Sequence, residues 1–132
     1  MKIAILSNGP GNYSTKRLVE EAKKRGHNVE VIKYKDCYLS LDDKHPDVYY
    51  DGEKLPKFDA ILPRISNAMT RYGCAVVRQF EMQGVYTASS SVAITRSRDK
   101  LRAAQILAKY DVDTPKTLVS RNTSDIDDLI QQ

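Results

Sequence analysis

Two short apolar runs without alternation, Ile3-Ala-Ile-Leu6 and Ala60-Ile-Leu62, dominate the hydropathy pattern of the chain. Such runs predict strands covered on both faces, as in a parallel sheet packed between helices. After the first run, Ser7-Asn-Gly-Pro-Gly-Asn12 predicts a loop. A helix follows, with Ser14 or Thr15 as its cap, an apolar stripe of Leu18, Val19 and Ala22, and the i,i+4 pairs Glu20/Lys24 and Glu21/Arg25. Gly26 supplies its left-handed terminus, and Val29, Val31 and Ile32 predict a second strand, giving a βαβ unit.

Between Lys33 and Leu55 the periodicity breaks up. Tyr49-Tyr-Asp-Gly-Glu-Lys54 predicts a hairpin with an Asp-Gly type I′ turn, projecting from the sheet edge. The second apolar run ends at Pro63, which lacks an N–H and should stop the ladder. Met69, Tyr72, Ala75, Val76 and Phe80 share one helical face, with Arg71, Arg78 and Gln79 elsewhere, and Gly84 ends that helix. A short strand at Val85–Ala88 and a capped turn after Ser89-Ser-Ser91 follow. From Ser97 to Tyr110 the pattern predicts a helix that is apolar around much of its circumference and so wants cover on more than one side. Thr114–Val119 predicts a strand and Ser124 onward a helix start. These elements predict an α/β fold with a mostly parallel sheet over residues 1–96. Residues 97–132 form a connecting helix and the opening of a truncated second domain, whose exposed apolar surface would favour a homodimer.

Length and composition narrow the class. The chain has 132 residues, 41% of them hydrophobic, enough for one core of ordinary size. No apolar run approaches the ~20 residues of a membrane span, so a soluble cytoplasmic protein is expected. Cys37 and Cys74 lack metal-ligand spacing and read as free thiols. The net charge of +4 conceals a local excess: Arg96, Arg98, Lys100 and Arg102 cluster, with Arg64, Arg71 and Arg78 upstream. An anionic partner is implied. Nucleic acid is disfavoured, because no aromatic-basic interleaving accompanies the cluster.

The candidate chemistry lies past the second apolar run. An arginine beyond a strand end suits an anion, since ligands of open α/β sheets gather at the carboxyl ends of the strands. Arg64, Ser66 and Asn67 are therefore candidate substrate-binding residues, the alternative for Arg64 being a solvated loop residue. Gly9 and Gly11 match the dinucleotide fingerprint poorly, with Ser14 at the third glycine position. Asp42, Asp43, His45 and Asp47 read as a solvated turn rather than a metal site, and His27 as a boundary residue.

Phe58-Asp-Ala-Ile-Leu-Pro-Arg-Ile65, Val77-Arg-Gln-Phe-Glu-Met82, Ser91-Val-Ala-Ile94, Arg98-Asp-Lys-Leu-Arg102 and Asp113-Thr-Pro-Lys-Thr117, in this order, resemble the start of the RimK family. These are ATP-grasp ligases that add glutamate to an acceptor, best known as the acidic C-terminus of ribosomal protein S6. The resemblance implies a Rossmann-like pre-ATP-grasp domain followed by the truncated start of an ATP-grasp fold. It also implies a reaction in which ATP phosphorylates a carboxylate and an amine displaces the phosphate, with ATP and Mg²⁺ used by the longer parent. Its Asp-Lys pair falls on Asp99-Lys100, making Lys100 the nucleotide-binding candidate, against the alternative of a solvated lysine. The metal ligands of the family would lie beyond Gln132, so no ligase activity and no tight cofactor binding are expected of residues 1–132 alone. Two rival readings are a stand-alone flavodoxin-like binding module and a related ligase with a different acceptor.

Overall fold

The computed structural model describes residues 1–41, 46–122, 124 and 126–131, so the acidic turn residues Asp42, Asp43 and His45 lie outside the described residues. The chain divides into two units, Met1–Arg98 and Asp99–Gln132.

The first unit is built on a parallel sheet of four strands: β1 (Lys2–Ser7), β2 (Asn28–Ile32), β6 (Ala60–Arg64) and β7 (Tyr86–Thr87), in the order β2-β1-β6-β7. The two central strands are β1 and β6, the two apolar runs of the sequence, and Ala4, Ile5, Leu6 and Ile61 are fully buried. Between β1 and β2 runs α1 (Tyr13–Lys24), and between β6 and β7 runs α2 (Thr70–Met82). Gly26 and Gly84 take φ of 74° and 71° just past the two helices, in the left-handed region where a side chain is disfavoured.

Several local expectations are corrected. Asn12, not Ser14 or Thr15, precedes α1, and Thr15 is instead buried with its hydroxyl 3.1 Å from that of Ser7. Glu21 pairs with Arg25 as expected, but Glu20 pairs with Arg17. Pro63 does not stop β6, which continues through Arg64 opposite Ser7. Ile61 O accepts from Ala88 N, so Pro63, two residues on, turns its missing N–H toward the same side, where β7 has already ended.

The segment without periodicity folds as a second sheet. β3 (Cys37–Leu41), β4 (Pro46–Tyr50) and β5 (Glu53–Lys54) are antiparallel in the order β3-β4-β5. The predicted turn is present, with Asp51 and Gly52 at φ of 54° and 81°. Rather than merely projecting, this sheet is tied to α2. Gln79, expected away from the apolar face, is buried and donates through Nε2 to Ser40 O at 2.7 Å and to Asp47 O at 3.2 Å. Gln83 Nε2 reaches Pro46 O at 2.6 Å, and the Tyr72 hydroxyl donates to Cys37 O. Both cysteines are free and buried.

The turn expected after Ser91 is a longer helix, α3 (Ser91–Arg98), which closes the first unit, and the helix expected from Ser97 begins only at Lys100, as α4 (Lys100–Lys109) of the second unit. Asp99 separates them because it has extended backbone and caps α4, its Oδ1 accepting from Arg102 N at 3.0 Å. Leu101 and Leu107 on α4 are exposed. Thr114–Val119 forms no strand, and α5 spans Ile126–Gln131. Among the described residues no helix is long and apolar enough to cross a membrane.

Candidate functional site

The strand order fixes where a ligand can enter. From β1 the chain turns through α1 to β2 on one side, and from β6 it turns through α2 to β7 on the other. The loops after β1 and β6 therefore diverge and leave a crevice at the carboxyl ends of the strands. A cleft of about 640 Å³ opens there, lined by Ser7, Asn8 and Gly9 from the first loop and by Arg64, Ile65 and Ser66 from the second. Tyr34, Ser89 and the α3 residues Ile94, Ser97 and Arg98 complete it.

The turn Arg64-Ile65-Ser66 is held from four directions. Arg64 Nη2 donates to Ser14 Oγ at 2.7 Å, tying the end of β6 to the first turn of α1. The Ile65 side chain is buried against Gly73, where an added Cβ would lie 2.5 Å from Ile65 Cγ2, so α2 approaches only because residue 73 has no side chain. Ile65 O accepts from Arg98 Nη2 at 2.6 Å. The buried Tyr34 hydroxyl donates to Ser66 Oγ at 3.0 Å and accepts from Ser66 N at 2.9 Å.

The loop after β1 is braced by bonds of its own. Gly9 N donates to Ser7 Oγ at 3.2 Å and Asn12 N to Gly9 O at 3.0 Å. Asn8 is also engaged, its Oδ1 accepting from Lys35 N at 3.0 Å.

Two of the residues singled out in the sequence, Arg64 and Ser66, line the cleft together; Asn67 does not line it. Asn67 is exposed in the 3₁₀ turn Asn67–Met69, where its carbonyl accepts from Thr70 Oγ1 at 2.9 Å. Lys100 is the exposed first residue of α4, in the second unit. Sequence reasoning had Arg98 in a basic cluster and in the stretch Arg98–Arg102 but assigned it no site role, and had Tyr34 not at all. Their partners Ile65 and Ser66 lie 33 and 32 positions away, beyond any local pattern.

Glu81 supplies the remaining support. Its carboxylate accepts from Ser91 N at 2.8 Å and from Ser91 Oγ at 2.7 Å, capping the helix that carries Arg98. Among the described residues no three His, Cys, Asp or Glu side chains gather as a metal site.

A family model described as the RimK pre-ATP-grasp domain matches residues 1–94. The probable alpha-L-glutamate ligase 1 of Shewanella amazonensis is 53% identical over 131 residues, covering 99% of this chain and 44% of that protein. The chain thus spans less than half the length of the curated relative. Among solved structures, the ATP-grasp ligase PsnB complexed with minimal precursor is similar with a TM-score of 0.74 at 17% identity, over 98% of this chain and 49% of that one. The complex of PsnB with minimal precursor, Mg and ADP gives 0.69 at 16% identity, over 98% and 50%. At these identities the likeness is one of fold.

Proposed function

Because the chain belongs to the RimK pre-ATP-grasp domain family, we propose that it is the N-terminal portion of a cytoplasmic ATP-dependent carboxylate–amine ligase. This ligase adds glutamate to an acceptor with an acidic terminus, of the kind found on ribosomal protein S6. The observation that carries the reading is the 53% identity with a probable alpha-L-glutamate ligase along nearly the whole chain. The cleft supports it: an arginine and hydroxyl groups line the switch point, suited to an anionic substrate.

In this reading Arg64 anchors a carboxylate of the acceptor or of the incoming amino acid at the mouth of the cleft, while Ser66 offers a hydroxyl beside it. Tyr34 holds Ser66 in place from behind. Lys100, exposed at the start of α4, is the residue of this chain assigned to the ATP phosphates. When bound, ATP supplies the phosphoryl group that activates the carboxylate. Mg²⁺ is assigned to residues of the longer parent. Residues 1–132 alone are accordingly assigned no ligase activity and Mg-ATP affinity weaker than micromolar. A ligase with a different peptide acceptor is the second reading, favoured by the precursor complexes of PsnB.

The test is a coupled assay of the longer parent with an acidic peptide. ADP release that requires both glutamate and peptide, with glutamate appearing in the peptide, is expected. ATP turnover indifferent to glutamate would refute the reading, and micromolar Mg-ATP binding by residues 1–132 would refute the assignment of inactivity.

A further inference from the structure

Resting on that reading of the cleft, we propose that Arg98 is a second recognition residue that joins Arg64 in a two-point clamp for a ligand bearing two carboxylates. The clamp distinguishes a dicarboxylate from a monocarboxylate before any nucleotide binds.

Both guanidiniums line the same cleft and both are anchored at the same turn, Arg64 by being part of it and Arg98 by its bond to Ile65 O. Their partners are neutral, a serine hydroxyl and a backbone carbonyl, and neither forms an ion pair among the described residues. Each guanidinium has further N–H groups beyond the one its anchor uses, in a fork matched to a carboxylate. Among the described residues no Asp or Glu lines the cleft, and none of the lining side chains carries a negative charge beside the two guanidiniums. At this turn the N–H of Ser66 is taken by Tyr34, so recognition of an anion beside it rests on the two guanidiniums rather than on backbone donors. The anchors also set the geometry: they hold the two cations in place before the ligand arrives, so less side-chain freedom is lost on binding.

The experiment is a titration of residues 1–132 with glutarate, valerate and pyrophosphate, without nucleotide, followed by calorimetry or amide chemical shifts. The clamp predicts that glutarate binds at least about tenfold more tightly than valerate, the difference one charge-assisted bidentate contact supplies. Arg98→Gln keeps an amide donor for Ile65 O but removes the charge, and should bring that ratio close to one while valerate affinity changes little. Arg98→Lys should restore part of it. Equal weakening of both acids in Arg98→Gln would assign Arg98 a merely structural role and overturn the proposal. So would a wild-type chain without preference for glutarate, or one binding pyrophosphate more tightly than glutarate. Each of these results leaves the glutamate-ligase reading to stand or fall on the ADP assay.

Discussion

Tyr34 and Ser66 exchange two hydrogen bonds at the base of the cleft, one through the serine hydroxyl and one through its backbone N–H, with the phenol fully buried. Removing the phenol oxygen leaves two polar groups without their partner. Tyr34→Phe should therefore cost ~1–3 kcal/mol in urea unfolding, more than the loss of an exposed hydrogen bond. A change below ~0.5 kcal/mol, typical of neutral surface substitutions, would mean that water replaces the phenol.

Gly73→Ala sets two effects against each other. Alanine in a helix gains ~1 kcal/mol over glycine, whereas forcing a methyl group to 2.5 Å from the buried Ile65 side chain requires α2 or the turn to move. Overpacking of this kind costs ~1–3 kcal/mol, so net destabilisation is expected. Combining it with Ile65→Ala should cost less than the two changes added separately. A stabilised Gly73→Ala chain would contradict the close packing.

The Glu81 carboxylate caps α3 from a different helix, so its loss acts on a helix it does not belong to. Glu81→Ala should cost ~1–2 kcal/mol, as for loss of a strong N-cap, and should speed hydrogen exchange in the first turn of α3 before it affects β1. Exchange unchanged at Val92–Thr95 would contradict the capping role.

Burial, with Asp36 adding, pushes the Cys37 thiol up to about 12 from the 9.0 of an unperturbed cysteine. A group whose pKa is raised by folding contributes stability in full below its unfolded value and loses it as the pH climbs through the folded one. The chain should thus lose stability between pH 9 and pH 12, and Cys37→Ala should flatten that part of the profile. At pH 8 the native thiol should react with iodoacetamide at least ~100-fold more slowly than in denaturant. Equal rates would show that the thiol is open to solvent.

Much of the fold was legible where a short stretch carries its own reason. β1 and β6 declared themselves as unbroken apolar runs, Asp51-Gly52 as a type I′ turn, and Gly26 and Gly84 as helix ends. What escaped is set by distant partners. Gln79 looks solvent-facing until its two carbonyl acceptors on the second sheet are known, and β3 is tied to α2 through its backbone carbonyls Cys37 O and Ser40 O, which no side-chain pattern records. Thr114–Val119 shows the converse error: its residues suit a strand, but strand propensity yields no strand without a neighbouring ladder. Within the site, the position of Arg64 near the carboxyl end of a strand was readable, although Arg64 is the last residue of that strand rather than the first beyond it, and the convergence of Tyr34, Gly73 and Arg98 on its turn was not.

Receipt of an anionic substrate at the turn after β6 is decided by Arg64→Ala in the longer parent, with acceptor KM, ATP KM and melting temperature measured on the same protein. Arg64 is exposed and, among the described residues, its guanidinium is bonded to a serine hydroxyl, so the melting temperature should stay nearly unchanged while acceptor KM rises about tenfold or more and ATP KM does not. A fall in melting temperature with acceptor KM unaltered would assign Arg64 to the fold and contradict the claim.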